Sequence, residues 1–270
     1  MAELAKKYHD NLQKQDITVQ SSEERANDIE LALRVIPQHQ QLDDPERSPM
    51  YNPTTEAQTL KALKFAKKNT ATGMDGCPYE LWKALNQRHE EKTKLNKPSF
   101  DIVKTLTKVF QDIQTYGVDE KATFALGWMG PIYKKKDRAE ISNYRPITLL
   151  NTDYKLFTKV LAMQLLDNIE HMVHPDQAGF IPKRPILNSI RLAKTIIKYA
   201  ELTDEDGAIV ALHQEKAYDK VRHDYLWATL EQFAIPQTFI KTVKSLYSNA
   251  HTRVAINGSL SHPFKVTRGV

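Results

Sequence analysis

Between Asp206 and Trp227 the chain changes character twice, and few folds accommodate both changes. After the turn-prone pair Asp206 and Gly207, Ala208-Ile209-Val210-Ala211-Leu212 forms an unbroken apolar run. A run this short and continuous, bounded by turn residues, predicts a strand buried on both faces. It stops at His213-Gln214-Glu215-Lys216, continues through Ala217-Tyr218-Asp219, and from about Arg222 the apolar residues Leu226, Trp227, Leu230 and Phe233 return at helical spacing. Strand, charged loop and helix in that order put a polar site at the carboxyl end of a buried strand.

Bulk properties narrow the class. A chain of 270 residues can bury a sizeable core, and 41% hydrophobic with 26% charged residues is ordinary for a globular protein. Lys plus Arg exceed Asp plus Glu by 38 to 33, a formal charge of +5 that permits a polyanionic partner without demanding one. The single cysteine, Cys77, excludes an internal disulfide framework and any Cys-rich zinc site, which favours a reducing, intracellular location, nucleus or cytoplasm. No apolar run is long enough to span a bilayer, and the amino terminus, MAELAKKYHDNLQ, has no signal-peptide core, so a soluble protein without a membrane partner is expected. The sequence stops at Thr267-Arg268-Gly269-Val270 just after a hairpin pattern and reads as interrupted.

Other elements follow in order. Residues 1 to about 50 suggest two short helices and a linker, the second helix over Glu24 to Ile36, ahead of the Gln-rich QHQQLDDPERSP. A firmer helix starts near Thr54 or Thr55, where Thr55-Glu56-Ala57-Gln58 fits a capping box, and continues through Leu60, Leu63 and Ala66 or Lys67. Thr72 to Cys77 is turn-rich, and Pro78 suits the first position of a helix through Leu81, Trp82 and Leu85. Phe100 to Tyr116 is the clearest amphipathic helix, with Ile102, Val103, Leu106, Val109, Phe110 and Ile113 at helical spacing and Gly117 as C-cap. Phe124 to Tyr133 and Asn143 to Leu150 predict two strands around the basic loop Lys134-Lys135-Lys136-Asp137. Tyr154 to about His171 predicts a helix with Leu156, Phe157, Val160, Leu161, Leu165 and Ile169 inward. His174 to Pro182 is a loop before a helix carrying Leu187, Ile190, Ala193 or Lys194, and Ile197. Thr238 to Ser248 is helical, and Thr252 to Asn257 predicts a strand turned by Asn257-Gly258 into Leu260 to Val266.

Read together, these motifs resemble the reverse transcriptases of non-LTR (LINE-type) retrotransposons. In that family the first palm strand ends in Asp and runs on as Asp-x-Glu-Lys-Ala-aromatic-Asp. Here the same positions read His213-Gln214-Glu215-Lys216-Ala217-Tyr218-Asp219. The lysine-rich helix, the Gly73-Met74-Asp75-Gly76 loop and the helix begun by Pro78 are similar to the family's entry to the polymerase domain. The resemblance covers about residues 54 to 270. It implies an α+β fold with the fingers and part of the palm of a right-hand polymerase, helix-rich with an incomplete palm sheet. Residues 1–53 become a helical linker region upstream, and 54–270 a partial reverse transcriptase domain without a thumb.

Site residues follow from the same resemblance. Lys135 and Lys136 with Arg145 on the return strand suit the triphosphate of a deoxynucleotide, since Arg binds phosphate through paired hydrogen bonds and Lys supplies point charge. Which lysine faces inward stays open. Tyr218 stands where the family packs an aromatic ring under the sugar. Gln177, Gly179, Phe180 and Arg184 resemble the segment that meets the template, the glycine permitting close backbone approach and the arginine meeting phosphate. The partners implied are an RNA template, a DNA primer and deoxynucleotides, and the cofactor is Mg2+.

The departure is His213. A magnesium ion that joins two carboxylate clusters needs hard oxygen ligands, and imidazole is a poor substitute for the aspartate. No intact catalytic residue and no metal ligand are therefore assigned, and His213 also reads as a strand-end histidine paired with a backbone or carboxylate group. The family's aromatic-x-Asp-Asp hairpin does not occur in these residues. Three functional expectations stand: a reverse transcriptase fragment inactive as this chain, a non-catalytic nucleic-acid-binding remnant, or a decayed element product without selected function.

Overall fold

The structure, a computed structural model, describes residues 1–14 and 20–269. The chain opens with α1 (Ala2–Lys14) and α2 (Ser22–Leu33), followed by α3 (Glu56–Phe65), α4 (Tyr79–Lys94) and α5 (Ile102–Tyr116). A hairpin of β1 (Leu126–Tyr133) and β2 (Tyr144–Leu149) leads into α6 (Thr152–Leu166), the single turn α7 (Ile169–Met172) and α8 (Ile186–Thr203). Then come α9 (His223–Gln232), α10 (Gln237–Ser248), β3 (His251–Ile256), β4 (Ser259–Leu260) and β5 (Phe264–Lys265).

Local chemistry explains the ends. The capping box forms at α3, Gln58 N donating to Thr55 Oγ1 at 3.3 Å and Thr55 N to Gln58 Oε1 at 3.0 Å. A second box at Ser21 and Glu24 starts α2, which ends at Leu33 rather than continuing to Ile36. Pro78 sits one position ahead of α4, as its N-cap. Gly117 ends α5 at φ +84°, its N–H donating to Ile113 O at 2.8 Å.

The main core lies among α3, α5, α6 and α10. Phe110 stacks on Phe157 with ring centroids 4.7 Å apart, both fully buried, alongside Leu106, Leu156, Val160 and Ile240. Val109, expected on this face, is 45% exposed, because the stripe facing α6 runs through Leu106, Phe110 and Ile113. The turn-rich loop is tied onto α6: Thr152 Oγ1 donates to Cys77 O at 2.8 Å and accepts from Trp82 Nε1 at 2.7 Å. Gly73 lies against Asn151 so closely that an added Cβ would meet its Oδ1 at 2.2 Å.

The sheet is mixed, ordered β2-β1-β3-β4, with β5 also on β3. β1 and β2 are antiparallel, pairing Met129 with Thr148 and Ile132 with Arg145, whereas β1 and β3 are parallel, pairing Trp128 with Arg253. The expected hairpin forms at Asn257 and Gly258, both at positive φ, with Ile256 opposite Ser259. α1 lies on one face, where Ala5 packs with Met129, Val254 and Phe264.

One expectation fails. Ala208–Leu212 forms no strand; it is irregular, and Leu212 is 89% exposed. A strand apolar on both faces needs neighbours along both edges and a layer above and below, and among the described residues no strand pairs with it. α8 shares this condition, forming where expected yet burying none of its side chains. Among the described residues no helix is long and apolar enough to cross a membrane.

Truncating Phe157 to Ala should remove about 3–5 kcal/mol of stability. Urea unfolding should show a lower midpoint with an unchanged slope.

Candidate nucleotide and nucleic-acid site

The basic loop is braced from within. Lys134 N donates to Asn143 O at 3.0 Å, Asn143 Nδ2 to Asp137 O at 2.8 Å, and Tyr133 Oη to Lys136 O at 2.6 Å. The Arg138 guanidinium lies 4.7 Å from the Tyr133 ring centroid, and Tyr144 Oη donates to Arg138 O at 2.9 Å. These contacts leave the ammonium groups of Lys135 and Lys136 exposed at the tip, with Arg145 exposed on β2. Arg138 carries no signal of its own in the sequence; its place over the ring depends on the loop closing, which spacing alone does not reveal.

Phe180 and Tyr218, 38 positions apart in sequence, meet edge to face with centroids 6.3 Å apart, so the expected template segment and nucleotide position adjoin. Both rings are exposed, Phe180 at 86%. Gln177 is exposed and bonds within its own loop, Nε2 donating to Gly179 O at 3.1 Å. Arg184 holds the loop together, its guanidinium donating to Glu170 O at 2.6 Å and His174 O at 2.7 Å, and also to Val173 O and Gln177 O. It closes the carboxyl end of α7, a role that the family pattern does not announce.

His213 and Glu215 are exposed on the irregular segment. Lys216, at φ +50°, donates to Tyr8 Oη on α1 at 2.9 Å. Burial pushes the Asp219 carboxyl above its ordinary value, while the Lys216 charge pulls it down. Gly269, at φ +89°, lies so close to Asp219 that a Cβ would come within 3.2 Å of its Cα, and its N–H donates to Val221 O at 2.8 Å. Arg268 Nε donates to Lys220 O at 2.9 Å. The segment after Thr267 is thus fastened along 219–222, and Val270 lies outside the described residues.

The amino-terminal helices clamp this region. Glu3 Oε1 accepts from His262 N at 2.6 Å, Gln13 Oε1 from Thr267 N at 2.6 Å, and Arg25 forms a paired contact with Asp224 at 2.5 and 2.9 Å. Arg25 holds the Asp224 carboxyl well below the usual range. A cavity of about 430 Å³ between α1 and the sheet is lined by His9, Met129, Thr148, Tyr154 and Asp219 among others. His9 is 5% exposed and its Nε2 has no partner, and burial, aided by Lys216, lowers its pKa to about 4.

Magnesium fits this donor set poorly. A histidine replaces the expected carboxylate, and among the described residues no three His, Cys, Asp or Glu side chains converge on a metal position.

Residues 133–270, just over half of the chain, match the family described as reverse transcriptase (RNA-dependent DNA polymerase), and the chain belongs to that family. Its relatives place it among non-LTR elements. It is 31% identical over 222 residues to the Transposon TX1 uncharacterized 149 kDa protein of Xenopus laevis, covering 81% of this chain and 16% of that protein. It is 24% identical over 128 residues to the Pol polyprotein of the type-2 retrotransposable element R2DM of Drosophila melanogaster, covering 47% and 12%. It is 27% identical over 140 residues to that of the type-1 retrotransposable element R2 of Popillia japonica, covering 52% and 19%. The chain is a reverse transcriptase fragment of retrotransposon type and spans under a fifth of these relatives' length.

His9 sets a pH dependence. Its folded pKa, about 4, lies below the usual 6.5, so the unfolded chain binds the proton more readily. Docking of α1 should be unaffected above about pH 6.5 and weaken as pH falls towards 4. Amide-exchange protection of residues 2–14 should follow that window in the native chain and flatten in His9→Leu.

Proposed function

We propose that this chain comprises the fingers and the beginning of the palm of a right-hand polymerase, and that it binds nucleic acid and deoxynucleotides without turnover. The polymerase portion starts near residue 54, and residues 1–53 form a helical region ahead of it. The partners are an RNA template paired to a DNA primer, met inside the cell. The reading rests on one observation above the others: the braced β1–β2 hairpin holds Lys135 and Lys136 exposed at its tip, with Arg145 on the return strand. Two ammonium groups and a planar guanidinium on a rigid hairpin suit polyphosphate.

Phe180 and Tyr218 add two exposed rings in edge contact, a surface against which a sugar or base can lie. Gln177 and Gly179 hold that loop in shape, and Arg184 positions it from beneath. Absence of turnover is inferred from chemistry at His213. Reverse transcriptases use divalent metal ions to activate the primer hydroxyl and neutralise the transferring phosphate, and the imidazole offers no carboxylate for this.

Fluorescence anisotropy with an RNA–DNA primer-template should show binding that weakens as salt rises, and Lys135→Ala or Arg145→Ala should each reduce affinity about 3- to 10-fold and the salt slope by about 1. Binding indifferent to salt would sink the reading. In primer extension with magnesium and deoxynucleotides, the native chain should give no DNA product, and His213→Asp alone should not restore one. A product from the native chain overturns the absence of turnover.

A further inference from the structure

The reversal from α4 into α5 gathers reactive side chains away from the hairpin. Leu85, Arg88, His89 and Lys92 recur along α4 at the spacing that places them on one helix face. Past the helix end the chain turns back, Asn96 at φ +53° and Lys97 N donating to Lys92 O at 2.9 Å. Asp101 then caps α5, its Oδ1 accepting from Lys104 N at 2.9 Å, and the next residues, Ile102 and Val103, are buried. The returning segment is thus fixed against α4.

Ser99 and Asp101 flank one imidazole as a result. His89 Nδ1 lies 2.8 Å from Ser99 Oγ, and its Nε2 lies 3.4 Å from Asp101 Oδ2. A carboxylate beside Nε2 favours the tautomer with its hydrogen there, which leaves Nδ1 to accept the serine hydroxyl. Hydroxyl, imidazole and carboxylate in that order make a serine nucleophilic, whichever ring nitrogen meets which partner. All three residues are partly exposed. Ser99 and His89 line a cavity of about 230 Å³ with Leu85, Arg88, Lys92 and Phe100. Two cations and no carboxylate stand in that lining, so it suits a small ligand with an apolar part and a negative charge.

We infer that Ser99 is a nucleophile activated by His89, with Asp101 as positioning residue, and that it takes acyl groups from small activated esters carrying negative charge. Ser99 Oγ forms a bond to the carbonyl carbon while the ester C–O bond breaks. The hydroxyl proton passes to His89 and then to the departing alkoxide, which leaves as the alcohol. Water repeats the attack through His89, releasing the carboxylic acid and restoring Ser99. Arg88 and Lys92 offset the charge that develops on the carbonyl oxygen. None of Lys135, Lys136, Arg145, Phe180 or Tyr218 lines this cavity, so the inference stands apart from the nucleic-acid reading.

The test treats the whole chain with a fluorophosphonate, in which Ser99 Oγ would bond to phosphorus as fluoride leaves, and locates the adduct by peptide mass spectrometry. The adduct should sit on Ser99. With 4-nitrophenyl hydrogen succinate as substrate, nitrophenolate release should vanish in Ser99→Ala and slow about 100-fold or more in His89→Gln. Asp101→Asn still caps α5 but loses the charge, so kcat should fall roughly tenfold or more with KM and melting temperature unchanged. Neutral 4-nitrophenyl acetate should show a higher KM than the succinate. Absence of a Ser99 adduct, or native rates in Ser99→Ala or His89→Gln, overturns the nucleophile. Native kcat in Asp101→Asn overturns the positioning role, and a lower KM for the acetate overturns the anionic class.

Discussion

The stack of Phe110 on Phe157 is the contact on which the remaining geometry depends. α5, carrying Phe110, feeds β1 through Val118 and Ala125, and α6, carrying Phe157, begins just after β2 ends. Joining these helices therefore fixes both ends of the β1–β2 hairpin. Asn249 Nδ2, donating to Val118 O at 2.8 Å, brings the start of β3 to the same joint. The basic tip stands on an apolar hinge: burial of two aromatic rings decides where Lys135, Lys136 and Arg145 project.

Elements whose causes are local are legible in the sequence. Thr55 and Gln58 cap α3, Asn257 and Gly258 turn β3 into β4, and Gly117 stops α5, each within a few residues of its cause. Ala208–Leu212 misleads for the opposite reason. Its apolar composition states what a strand would need, but pairing supplies the strand, and no partner is adjacent in sequence. Arg184 resembles a phosphate ligand because charge is visible in sequence, whereas the carbonyls that it closes belong to a helix end brought near by folding. Trp128 and Arg253, 125 positions apart in sequence, share a face only through parallel pairing, which no spacing rule contains.

The stretch from Ala208 to Asp219 divides into parts with separate fates. Tyr218 meets Phe180, Lys216 is held by Tyr8, and Asp219 is pressed against Gly269, so the second half is structured by contacts from three directions. The first half, from Ala208 to His213, is exposed throughout. The family match runs across both halves, from residue 133 to 270.

The exposed apolar stretch from Ile186 to Leu212 has a colloidal consequence. Arg191, Lys194 and Lys198 interrupt it and act as gatekeepers, since copies carrying like charge on the same patch repel one another. That repulsion reaches only about 8 Å at physiological ionic strength and shortens further as salt is added. Salt that weakens the proposed hold on a polyanion also, in the same step, lets these apolar stretches approach each other.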